Sequence, residues 1–130
     1  MSEKIILVDA VYCLVDTKGT INSNLDSLLN KYDNRKIVLT NANDEEKLVF
    51  LRNVSYETFS LKHKPDKVDP EYYRKFLEYF SLSNENLVYF EHDIKAVESA
   101  RSVGINTHHF DGDLKSLESF LNFFVDDQPS

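Results

Sequence analysis

Residues 5–16 read IILVDAVYCLVD. Ile5, Ile6, Leu7 and Val8 follow one another without polar alternation, the pattern of a strand buried on both faces. Asp9 comes where such a strand leaves the core. A carboxylate there has to meet solvent, a cation or a hydrogen-bond donor, because burying it unpaired costs several kcal/mol. Asp9 is therefore either a reagent or the polar stop of a strand, and the rest of the chain has to separate the two.

Working outward, apolar runs alternate with amphipathic ones. The spacing predicts strands over 4–9, 36–40 (KIVLT), 56–60 (YETFS), 87–91 (LVYFE) and 105–110 (INTHHF). Between them it predicts helices over 22–32, 43–53, 70–80 and 94–103, with a last one over 114–125. Tyr73, Phe76, Leu77 and Phe80 recur at three- and four-residue intervals, the stripe of a helix lying on a sheet. Asp69 before Pro70 reads as an N-cap followed by proline at the first helical position. Gly104 stands where a helix ends in a left-handed residue, and Asp113 can cap the last helix. Alternating strands and helices give the α/β class: a Rossmann-like open parallel sheet of about five strands, with helices on both faces and right-handed crossovers. The expectation is one domain over 1–125 and a disordered tail, DDQPS, over 126–130.

Composition narrows the function. The chain has 130 residues, enough for a core without metal or disulfide staples. A net charge of −7 argues against a nucleic-acid binder, which needs a basic face. The single cysteine, Cys13, excludes an intramolecular disulfide and reads as a small packing residue. The N-terminal apolar segment is too short for a signal peptide, and no stretch is long enough to span a membrane, so a cytoplasmic protein with no membrane partner is expected. Without a secretion signal, the sequon Asn53-Val54-Ser55 reads as chance. Oligomeric state is not readable from the residues.

In open parallel sheets ligands bind beyond the carboxyl ends of the strands. The residues to weigh are therefore Asp9, Thr40-Asn41, the 62–67 segment and Glu91-His92-Asp93. A hydroxyl beside free helix N-terminal amides, as at Thr40-Asn41, suits a phosphate or carboxylate, although Thr40 or Asn43 can equally serve only as a cap. KHKPDK places Lys62, Lys64 and Lys67 ahead of a helix; each alone reads as solvated surface. Asp93 reads as the N-cap of the next helix. Glu91 directly abuts LVYF and needs a partner.

A carboxylate, a hydroxyl at a helix start, a lysine and a further acid, in that order, resemble the haloacid dehalogenase-like (HAD) superfamily, largely phosphatases. The resemblance covers nearly the whole chain and is most specific in KVDPEYYRKFLEYF and LVYFEHDIKAVESARSVGI. It implies that Asp9 is a nucleophile forming an aspartyl intermediate, and that Thr40 binds a transferring phosphoryl oxygen, with Asn41 beside it. Lys67 would neutralise the charge shared by nucleophile and phosphoryl group; Lys64, in Lys64-Pro65-Asp66, is a rival placement that requires an insertion. Mg²⁺ would be held by Asp9, the backbone carbonyl of Val11 and Glu91. The implied partner is a phosphorylated substrate.

The departures from the family pattern are specific. The aspartate that serves phosphatases as general acid, two residues after the nucleophile, is here Val11, and the following glycine and threonine are Tyr12 and Cys13. His92 stands where a second acid is common, and histidine is a poor ligand for Mg²⁺. Asp9-Ala10 resembles the opening of the family's dehalogenases, but the intervals from Asp9 to Thr40 and from Thr40 to Lys67 are too short for their helical cap. A capless, open site suits a large substrate. Two readings remain: a weak or specialised Mg²⁺-dependent phosphohydrolase, and a pseudo-enzyme that binds or regulates without turnover.

Overall fold

The computed structural model describes residues 4–125, and the expected tail over 126–130 lies outside them. Five strands form one parallel sheet in the order β3-β2-β1-β4-β5. They are β1 (Ile5–Asp9), β2 (Lys36–Thr40), β3 (Glu57–Ser60), β4 (Leu87–Glu91) and β5 (Asn106–His109). The helices are α1 (Ser23–Leu29), α2 (Asp44–Phe50), α3 (Pro70–Phe80), α4 (Ile94–Ser102) and α5 (Leu114–Val125). This is the α/β Rossmann-like sheet that the alternating runs predict, and no cap interrupts it among the described residues. No helix among them is long and apolar enough to cross a membrane.

Residue alternation in β1 sorts the core. Ile6 and Val8 join Leu25, Leu29, Phe90, Leu117 and Leu121 on the face covered by α1 and α5. Leu7 points the other way, to Ile37, Leu39, Tyr72, Tyr73, Phe76 and Ala100 under α3 and α4. Both faces are covered, so β1 and β4 carry almost no polar residue until Asp9 and Glu91. Val8 pairs with Phe90 across the two strands, which brings those two acids out at neighbouring strand ends.

The caps fall where the sequence puts them. Asp69, Asp93 and Asp113 accept backbone N–H groups at the starts of α3, α4 and α5, and Gly104 has φ +91°. The first two helices are shorter than their apolar spacing predicts. After Leu29 the amides of Lys31 and Tyr32 turn back to the carbonyls three residues earlier, closing a tight turn instead of another helical one. Tyr32 is nonetheless buried with Leu25 and Leu28, so the stripe outlasts the helix. Helix α2 buries none of its residues; it is held at its start by a capping box between Asn43 and Glu46.

Candidate functional site: a buried charge centre at the strand ends

Asp9 is buried at the end of β1, and each of its oxygens has its own partners. Oδ1 accepts from Lys67 Nζ at 2.6 Å. Oδ2 accepts from His92 Nδ1, from the His92 amide at 3.3 Å and from the Cys13 thiol at 3.2 Å. Glu91, fully buried at the end of β4, takes Lys67 Nζ at 2.8 Å and the Tyr89 hydroxyl on Oε1. Its Oε2 takes the Asp93 amide at 3.0 Å and lies 3.1 Å from His92 Nδ1. Lys67 thus bridges the two acids on one side and His92 bridges them on the other.

The local sequence explains the placement. Lys67 precedes α3, and its amide donates to the Asn41 side chain at 2.8 Å, which ties the lysine's loop to the end of β2. The Tyr72 hydroxyl, one turn into α3, donates to the carbonyls of Thr40 and Phe59. Cys13 returns to Asp9 because residues 9–15 fold into a tight turn, in which Leu14 and Val15 donate to the carbonyls of Asp9 and Ala10.

Burial, opposed by Lys67 and reinforced by Glu91, pushes Asp9 above the usual carboxylate range. Burial acts in the same sense on Glu91, but Lys67 and the hydrogen bonds around it hold this carboxyl below that range. A proton entering the pair therefore goes to Asp9. Burial also opposes the ammonium of Lys67, yet the two acids hold it well above its ordinary value. Hydrogen bonds to Asp9 and then Glu91, against burial, lift His92 to about 10. Lys67 and His92 are thus the cations of the centre, and Glu91 its firmest anion. Burial and the neighbouring Asp9 push the Cys13 thiol up, so it is protonated.

Above the centre opens a cavity of about 340 Å³ lined by Asp9, Val11, Tyr12, Thr40, Asn41 and Lys67, with Phe50, His63 and His92 at its sides. Thr40 is buried and its Oγ1 accepts the Ala42 amide at 3.1 Å. Asn43, not Thr40, caps α2. Lys67 occupies the place beside Asp9, whereas Lys64 is exposed and does not line the cavity. Asn41 faces the cavity with its side chain engaged by the Lys67 amide. Val11 lines the cavity as an apolar group, and Tyr12 beside it is 68% exposed, with its ring edge-on to His92. The sequence leaves open whether His92 takes part in the site and reads Cys13 as a packing residue; both donate to Asp9.

The same topology occurs among solved structures. A HAD family enzyme from Bacteroides thetaiotaomicron aligns with a TM-score of 0.68 at 14% identity, over 90% of this chain and 98% of that one. That enzyme in complex with magnesium and inorganic phosphate aligns at 0.64 and 13% identity, over 86% and 96%. A conserved haloacid dehalogenase-like protein of unknown function from Agrobacterium tumefaciens aligns at 0.62 and 13% identity, over 82% of each chain. The chain has the haloacid dehalogenase-like fold. No family model and no curated protein matches its sequence.

On this HAD-like sheet the metal question has a geometric test. Asp9 Oδ2 and Glu91 Oε2 converge on one atom, His92 Nδ1. Two carboxylate oxygens aimed at one positive centre are what a divalent cation needs. The imidazole stands at that point, with 37% of its side chain exposed. The acids fit a cation; His92 competes with it.

Proposed function

We propose that this chain is a phosphohydrolase that attacks a phosphate monoester with Asp9. The observation that carries the proposal is the buried Lys67 ammonium spanning Asp9 Oδ1 and Glu91 Oε1 at the cavity floor. A carboxylate oxygen held against an ammonium is oriented as a nucleophile, and the same ammonium offsets charge as a phosphoryl group arrives. Asp9 Oδ1 bonds to phosphorus while the ester oxygen departs with its electron pair. Water then attacks the aspartyl phosphate, releasing phosphate and restoring Asp9. Thr40, at the end of β2 and lining the cavity, would bind a phosphoryl oxygen. A Mg²⁺ ion held by Asp9, Glu91 and the Val11 carbonyl would withdraw further charge from the phosphoryl group.

Val11 limits this chemistry. The departing oxygen needs a proton, and an isopropyl group at the cavity wall supplies none. Loss of a general acid costs on the order of a hundred- to ten-thousand-fold. Turnover is therefore slow, and fastest on esters whose leaving oxygen is already a weak base. The cavity is open, which leaves room for a large substrate.

The bridging contact of His92 with both acids, together with Val11, favours a second reading: a binding module that holds a phosphate group without cleaving it. Asp9→Asn separates the two. Under the hydrolase reading, the purified variant folds and loses hydrolysis of p-nitrophenyl phosphate. Equal hydrolysis by wild type and variant would sink the proposal. No hydrolysis by wild type, with phosphate binding by calorimetry, would establish the binding module.

A further inference from the structure

Around Asp9 Oδ2 stand a thiol and an imidazole as well as carboxylates. The Asp9 oxygen, the Cys13 sulfur and the His92 nitrogen all lie within 4.8 Å of one another. Magnesium takes oxygen ligands and gains nothing from sulfur. A carboxylate, a thiolate and an imidazole together are a zinc-type donor set, and three protein ligands with one open position are the usual form of a reactive zinc site.

We propose that Asp9, Cys13 and His92 form a site for a borderline divalent ion such as Zn²⁺ at the end of β1. The site rests on the geometry at Asp9 and does not require that the protein hydrolyse anything.

The distances allow it. Tetrahedral zinc with ordinary bond lengths separates its ligand atoms by roughly 3.3–3.7 Å. Cys13 Sγ is already 3.2 Å from Asp9 Oδ2. His92 has to back off Asp9 to open that separation, and it is the partly exposed member of the three. The proton balance is closed: the Cys13 thiol loses its proton as the S–Zn bond forms, and His92 Nδ1 loses its proton as the N–Zn bond forms. Both protons go to solvent and nothing is oxidised. Lys67 stays on Asp9 Oδ1 and Glu91, so the ion adds to the bridged acids without displacing the ammonium.

Calorimetry on the metal-free protein, with no phosphate compound present, tests the proposal. Zn²⁺ is expected to bind one per chain, at least about a hundred-fold more tightly than Mg²⁺, with release of about two protons when buffers of different ionisation enthalpy are compared. Loading with Co²⁺ is expected to give a near-ultraviolet sulfur-to-metal charge-transfer band. Cys13→Ser should abolish that band, and His92→Gln should weaken Zn²⁺ binding by about ten-fold or more. If Cys13→Ser fails to fold, the more exposed His92→Gln decides alone. Zn²⁺ binding no tighter than Mg²⁺ binding overturns the proposal. So does the absence of that cobalt band in the wild type, or Zn²⁺ affinity unchanged in His92→Gln, since the ion would then sit on surface histidines.

Discussion

On one side of Asp9, Lys67 is positioned by elements far apart in sequence: Asn41 from the end of β2, Tyr72 in α3 and Glu91 from β4. On the other side, residues 10–21 are arranged mostly by themselves. Tyr12 donates to Val15, Cys13 and Val15 donate to Ala10, and Asp16 takes the amides of Lys18 and Thr20. Tyr12 sits at φ +73°, left-handed backbone that a tyrosine adopts only under local constraint. The first side buries charge and depends on the whole fold. The second presents Val11 and Tyr12, apolar groups on a self-contained turn. Substitutions therefore behave differently on the two sides: the charged side fails when a partner is removed, whereas the turn accepts new chemistry.

Lys67→Met is the strongest break. It leaves two buried carboxylates facing each other with His92 as their remaining cation, and removing one partner of a buried ion pair costs about 3–5 kcal/mol. Urea unfolding at neutral pH should register that loss, and acidification should restore part of it by protonating Asp9. A loss below 1 kcal/mol would mean that the ammonium is solvated and not a bridge.

On the turn side, Val11→Asp should fold and, under the hydrolase reading, raise hydrolysis of a poor-leaving-group ester by roughly ten-fold or more. An activated ester such as p-nitrophenyl phosphate should gain less, because its leaving oxygen needs little protonation. A folded variant with no gain on either ester would count against a nearly intact catalytic side.

His92 sharpens the comparison through pH. Its folded-state value of about 10 lies above the ordinary 6.5, so its stabilising contribution is full below about pH 6.5 and is lost as pH rises through about 10. Wild type should exceed His92→Gln in stability at neutral pH, and the gap should close above about pH 10. A gap constant across that range would mean that the imidazole is not charged in the fold.

The smallest effect belongs to α2. Leu48 is 75% exposed on a helix that buries nothing, so Leu48→Lys should move stability by no more than about 0.5 kcal/mol. A larger loss in a thermal melt would reveal that this face is covered.

Much of this was legible in the residues. Strands announced themselves because both sheet faces are covered, so Ile6-Leu7-Val8 and Val88-Tyr89-Phe90 run apolar without interruption. Asp69-Pro70 and Gly104 marked helix boundaries because each solves a backbone problem that few residues can solve. The end of α1 was not legible, because buried Tyr32 continues the helical spacing through a turn that is no longer helical. At the site, strand order alone brings Asp9 and Glu91 together, and the resemblance pointed to Lys67. The position of His92 depends on the turn between β4 and the Asp93 cap of α4, which no periodicity encodes. Cys13 was hidden for a different reason. Its side chain is as buried as packing predicts, and only the tight turn after Asp9 aims its sulfur at the carboxylate.

The loop that carries Lys67 has a further consequence. Its backbone is fastened at Lys67 by Asn41 and at the next residue by the Ser99 hydroxyl, which donates to the Val68 carbonyl. Freezing a lysine side chain costs up to about 2 kcal/mol of conformational entropy. Here that ordering is complete when the chain folds, before any anion reaches the cavity. Under the hydrolase reading, an incoming phosphoryl group meets an ammonium already in position and loses none of its binding energy to arranging it.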